Sequence, residues 1–168
     1  MPRNFEISLN SPATVVQILS AFADEQYWSA RLNRFADGTA RLTSLRSDPS
    51  GTVAVRIALG LLRERLPKVV TQLHAGEIEM IRDERWCWLE DGRVRGEIDV
   101  TVTGAPVSAV GQSVLTAADT GSRMTYSGSV SVKVPFVGGR IESFMGRQTV
   151  DEITRLQHFT NDWIAGHY

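Results

Sequence analysis

Cysteine occurs once in this 168-residue chain, as Cys87. A single thiol excludes an intrachain disulfide and a cysteine-rich zinc site, and it fits a reducing compartment, the cytoplasm. A basic excess is missing as well. Eighteen Lys and Arg stand against nineteen Asp and Glu, so nothing is left over to neutralise a phosphate backbone, and no nucleic-acid partner is expected. Long apolar runs are absent: MPRNFEISLN lacks the greasy centre of a signal peptide, and VAVRIALGLL is too short to span a bilayer and is broken by Arg56. His74, His158 and His167 share no metal-ligand spacing, so no metal is expected. FVGGRIE lacks the Lys and Ser or Thr of a phosphate loop, and no G-x-G-x-x-G leads from a strand into a helix, so no nucleotide cofactor is expected. No Ser, His and Asp fall in an order that requires a hydrolase, and no catalytic residue is assigned.

What remains is ordinary globular material, 42% hydrophobic and 22% charged, enough for one domain over residues 1–168 with a substantial core and no staples. Phe5, Ile7 and Leu9 alternate with polar residues and predict a first strand. Ser11 and Pro12 suit the start of a helix through Val15, Val16, Leu19 and Phe22, and Asp24 suits the cap of a second carrying Tyr27, Trp28 and Leu32. The period then changes to two. TARLTSLRS and TVAVRIALG flank the turn sequence DPSG, and further strands follow at GEIEMIRDE, RVRGEIDVTVTG, VSAVGQSVLTA and SRMTYSGSVSVKV. Val53, Val55 and Ile57 share a face, as do Val94, Gly96, Ile98, Val100 and Val102, and Met124, Tyr126, Gly128, Val130, Val132 and Val134.

A helix from Gly139 to Ile164 closes this order, roughly 40 Å long at 1.5 Å per residue. Strand, two short helices, successive antiparallel strands and one long helix make an α+β plan in which a twisted sheet wraps the terminal helix. On that helix Ile141, Met145, Ile153, Leu156, Phe159, Thr160 and Trp163 gather on one side. Glu152 falls among them and Gln148 lies near their edge; a buried carboxylate there requires a partner, a proton or water. Two readings follow. In one, Glu152 is a structural ion meeting Arg155, Gln148 or an inward strand arginine such as Arg56. In the other, the helix faces a cavity, and Glu152 and Gln148 are polar handles for a ligand. Glu142, in the first helical turn, reads as structural.

Two other segments carry the same duality. ALGLLRERLPKVV, Ala58 to Val70, is either a lid whose Arg63, Arg65 and Lys68 meet a carboxylate or make transient contact with an anionic membrane surface, or a capped loop packed on the sheet end. Trp86 and Trp88 flank Cys87 and point to one face, as cavity wall or as core.

GAPVSAVGQSVLT and KVPFVGGRIESF, together with the element order, resemble an uncharacterised actinobacterial family of the START-like, or SRPBCC, helix-grip superfamily, which also includes polyketide cyclases and pollen-allergen-like proteins. The resemblance implies a pocket for lipids, polyketides or other apolar molecules, and no shared catalytic motif. The expected function is therefore binding or carriage of a small hydrophobic ligand between sheet and terminal helix. Glu152, Gln148 and Tyr126 would orient its polar ends, while Met145, Leu156, Trp28, Trp86 and Leu62 would line the site. The alternative is a cyclase- or dehydratase-like enzyme with Glu152 as acid or base.

Overall fold

A computed structural model describes residues 2–35, 39–61, 68–72, 76–136 and 138–167, with the backbone alone for 61, 69 and 70. Eleven elements follow one another in these stretches: β1 (Arg3–Ser11), α1 (Val15–Phe22), α2 (Glu25–Phe35), β2 (Ala40–Ser47), β3 (Val53–Leu61), α3 (Lys68–Gln72), β4 (Ile78–Trp88), β5 (Val94–Thr103), β6 (Val107–Ala118), β7 (Gly121–Val132) and α4 (Gly138–His167). The seven strands form one antiparallel sheet in the order β1-β7-β6-β5-β4-β3-β2.

Local chemistry accounts for the joints. Thr14 caps α1 through a reciprocal capping box, its hydroxyl accepting from Gln17 N while the Gln17 side chain accepts from Thr14 N. The cap falls three residues beyond the expected Ser11. Ser11 instead ends β1, buried, and ties it to α4 by donating to Asn161 Oδ1 at 2.6 Å. Asp24 does open α2, accepting from Gln26 N at 2.8 Å. In the β2–β3 turn Gly51 adopts φ 84°, and Asp48 gathers the N–H groups of Ser50 and Thr52.

One face of the sheet is wet; the other is concave and holds the core. Beneath α1, α2 and the second half of α4, a large cluster joins Ile18, Phe22, Tyr27, Trp28, Val53, Val55, Ile57, Trp86, Val94, Ile98, Leu115, Met124 and Ile164. A smaller one, Val107, Val130, Val132 and Ile141, sits under the first half of α4 with Phe5, Val102, Ala109 and Met145 against it. The two do not merge. Among the described residues, the backbone of α4 comes close to β1, β7, α1 and α2, and makes at most isolated approaches to β3, β4 and β5. The helix leans on one side of the sheet and stands off from the other.

Candidate functional site

The seam between the two clusters carries polar chemistry. Successive inward positions of β4 are Arg82, Glu84 and Trp86, placed on one face by the strand period. Glu84 is sealed from solvent. Its Oε1 accepts from Arg82 Nε at 2.7 Å and its Oε2 from Trp86 Nε1 at 3.0 Å. Arg31, from α2, brings Nη2 to 3.7 Å from Glu84 Oε1, with its guanidinium 4.6 Å from the centre of the Trp28 ring. Burial is the largest single influence on the Glu84 carboxyl and pushes its pKa up; Arg82, Arg31 and the Trp86 N–H together outweigh it, so the carboxyl is held below the usual range. For Arg82 burial likewise favours the neutral form, but Glu84, then Glu152 and Tyr126, overcome it and the guanidinium stays charged.

Tyr126 enters from β7. Two strands, β5 and β6, separate it from Arg82, a distance of roughly 14 Å in a flat sheet at about 4.8 Å per strand. The curl of the sheet lets the two side chains feel each other's charge. Burial, then the nearby Glu84, pushes the Tyr126 phenol above its ordinary pKa, against the pull of Arg82 and Arg31. Yet Tyr126 keeps accessible surface, as do the inward residues Arg82, Val100, Val102 and Ala109. Arg82 and Tyr126 thus lie deep in the protein without being closed off from solvent. Among the described residues the Tyr126 hydroxyl has no hydrogen-bond partner, and Arg82 makes none beyond its Nε bond.

The predicted site residues fall into three groups. Tyr126 and Met145 are half-buried on the concave side, and Leu156 is buried at its margin. Trp28 and Trp86 present no open surface: Trp28 donates to Phe22 O at 2.7 Å, Trp86 is bound to Glu84, and both are core, which corrects their expected place in a lining. Gln148 and Glu152 are exposed, because α4 turns this flank away from β1 and β7. Glu152 stays close enough to Arg82 to act on its charge, without an ion pair. The expected partner Arg56 points the other way and is paired with Asp83 at 2.7 Å on the convex surface. Leu62 and the rest of 62–67, the middle of the Ala58 to Val70 segment, lie outside the described residues; on either side, β3 runs on to Leu61 and Lys68 opens the short α3.

Arg31, Arg82 and Glu84 were missed, although a signal for two of them was present: with Trp86 inward, period two puts Glu84 and Arg82 inward as well. Gln157, buried and donating to Asn161 Oδ1 at 3.0 Å, was missed too. Beside Tyr126 on β6, the Ser113 hydroxyl is sealed and has no partner among the described residues. Ser113→Ala is expected to leave stability unchanged or raise it by up to about 1 kcal/mol in urea unfolding, since a sealed, unbonded hydroxyl gains nothing from folding.

No cluster of three metal-ligating side chains occurs among the described residues, and no helix among them is long and apolar enough to cross a membrane. Two grooves lie on the convex face, one along Asn4, Glu97, Asp99, Gln112 and Ser127, the other along Thr43, Arg56, Asp83 and Arg85. Both are open, with apolar as well as polar walls, and the second also touches Val55 and Glu84.

A curved antiparallel sheet gripping a long C-terminal helix, with two short helices after the first strand, is the START-like helix-grip fold. Solved structures agree on the fold. The protein TTHA0849 from Thermus thermophilus superposes with a TM-score of 0.61 at 11% identity, over 98% of each chain. Norcoclaurine synthase from Thalictrum flavum, in complex with dopamine and hydroxybenzaldehyde, does so with a TM-score of 0.57 at 11% identity, over 100% of this chain and 89% of its own. By sequence, the chain belongs to the family described as Protein of unknown function (DUF2505), whose model matches residues 6–164. A full-length relative is Uncharacterized protein Rv0481c of Mycobacterium tuberculosis (strain ATCC 25618 / H37Rv), 35% identical over 174 residues and 99% of each chain.

Proposed function

We propose that this protein binds or carries a small, largely apolar molecule in the space between the concave sheet and α4. The observation that carries the reading is the divided core. Val100, Val102, Ala109 and Tyr126 point inward from the middle of the sheet and remain half-buried, with α4 standing away from the strands opposite. Ligand pockets combine apolar walls with a few placed polar groups. Here the walls are Val100, Val102 and Met145, and the polar groups are Tyr126 and the Arg31–Glu84–Arg82 set, with Glu152 and Gln148 on the solvent side. The related fold of norcoclaurine synthase accommodates small organic molecules in its own structure. Binding is preferred to acid–base catalysis because Glu84, enclosed in the seam, is held by two donors and faces a second guanidinium, while Glu152 stands in water. The lone free Cys87 supports a cytoplasmic setting.

The test is occlusion. In wild type, straight-chain alcohols, esters and acids of ten and sixteen carbons are expected to bind in titration calorimetry, with a heat-capacity decrease that marks apolar burial. Val100→Trp, which places an indole in the space, is expected to lower their affinity at least about tenfold while the variant stays folded by circular dichroism. A wild type that takes up no member of the series ends the proposal.

A further inference from the structure

The enclosed polar groups carry an imbalance. Arg31 and Arg82 contribute two positive charges and Glu84 one negative, and all three are largely withdrawn from solvent, with side-chain exposures of 9%, 16% and 1%. Such an excess is costly in a poorly solvated place unless something neutralises it. Glu152 acts on Arg82 from the flank, but it is exposed and makes no ion pair with it, so water screens much of its field.

Hydrogen-bond capacity is unbalanced in the same sense. Glu84 spends both oxygens on Arg82 and Trp86. Arg82 spends only Nε, so its two terminal nitrogens keep their protons free among the described residues, and Arg31 approaches Glu84 at 3.7 Å, beyond hydrogen-bond length. The Tyr126 hydroxyl is a further uncommitted donor on the facing strand. What is short here is acceptors and negative charge. A carboxylate supplies both, because its two oxygens accept about four hydrogen bonds and pair in parallel with a guanidinium. An alcohol or ester supplies an acceptor and no charge.

We infer that Arg82, Arg31 and Tyr126 form the recognition pole for a carboxylate, so that the preferred guests are amphiphilic acids whose apolar part lies along Val100, Val102 and Met145. This rests on the binding function proposed above and narrows it to a ligand class. Glu152 then opposes the ligand's charge across the opening, and removing its charge strengthens binding.

The experiment compares decanoic and hexadecanoic acids with the matching alcohols and methyl esters, by calorimetry at neutral pH. Wild type is expected to prefer each acid by about tenfold or more, the usual reach of a hydrogen bond to a charged group. Tyr126→Phe and Arg82→Gln are expected to weaken the acids at least about threefold more than the matching alcohols, and Glu152→Gln to tighten the acids alone. Should Arg82→Gln not fold, Tyr126→Phe carries the test, since its hydroxyl has no partner to lose. If acids, alcohols and esters bind wild type equally, the recognition pole is refuted and the pocket stands. If Glu152→Gln weakens the acids, the assignment of charge is refuted. If nothing binds, both the pocket and its pole fall.

Discussion

Glu84→Ala is expected to lower the free energy of unfolding by about 3–5 kcal/mol, the range for removing one partner of a buried ion pair and stranding the other. Two guanidinium groups, Arg31 and Arg82, would lose their counter-ion, and the Trp86 indole N–H its acceptor. Equilibrium unfolding in urea measures it. Replacing Arg31, Arg82 and Glu84 together by Met, Met and Leu is expected to cost far less, because no uncompensated charge remains and only the Trp86 N–H is left without its acceptor. That contrast matters for function: a charged set that apolar residues could replace is not there for stability alone. The same residue sets an acid limb. The carboxyl of Glu84 titrates below its unfolded value, so its contribution is complete above the ordinary glutamate pKa of about 4.3 and is lost as pH falls through the depressed folded value. The difference in stability between wild type and Glu84→Gln should therefore shrink below about pH 4. A constant difference down to pH 2 would show that the carboxyl is not held ionised by its neighbours.

The second large effect is predicted at Gly96. Its partner across β4 is Trp86, whose six-membered ring lies directly over it; a Cβ at Gly96 would come within 2.7 Å of three ring carbons. The ring has nowhere to go. It is sealed from solvent, packs 4.7 Å from the centre of Phe22, and is held by its bond to Glu84. Gly96→Ala is expected to cost about 3 kcal/mol, the upper end for overpacking, and to lower the melting temperature by roughly 10 °C for a chain of this size. Near-ultraviolet circular dichroism should report the displaced indole. An unchanged melting temperature would mean that the wall at Trp86 yields, and the seam above it would then lose its rigid support.

Much of this architecture is written in periods. Alternation at Phe5–Ile7–Leu9, Val53–Val55–Ile57 and Met124–Tyr126 marks the strands and their inward faces, and Asp24 and the DPSG turn mark joints, because those signals are local. The recognition pole is not local. Arg82 and Glu84 sit at inward positions, yet charge on a strand ordinarily means solvent, and only their pairing with each other and with Arg31 makes burial tolerable. The electrostatic influence between Arg82 and Tyr126 depends on the curl of the sheet, which no repeat encodes. Glu152 illustrates the opposite failure. A helical wheel places it among apolar residues, but which part of that stripe meets the sheet is decided by α4 leaning toward β1 and β7, and the lean leaves Glu152 in water.

The position of β1 has a bearing on how the chain acquires its shape. Its pairing partner is β7, and Ser8 and Thr125, whose hydroxyls meet across that ladder, are 117 positions apart. Such closure is among the slow events of folding, since the loop entropy must be surrendered before the ladder returns anything. During synthesis the first strand therefore stays unpaired until β7, the last strand, has emerged, and the concave face has only α1 and α2 to cover it until α4 follows. Nascent-chain collapse and chaperone engagement should concentrate in that interval.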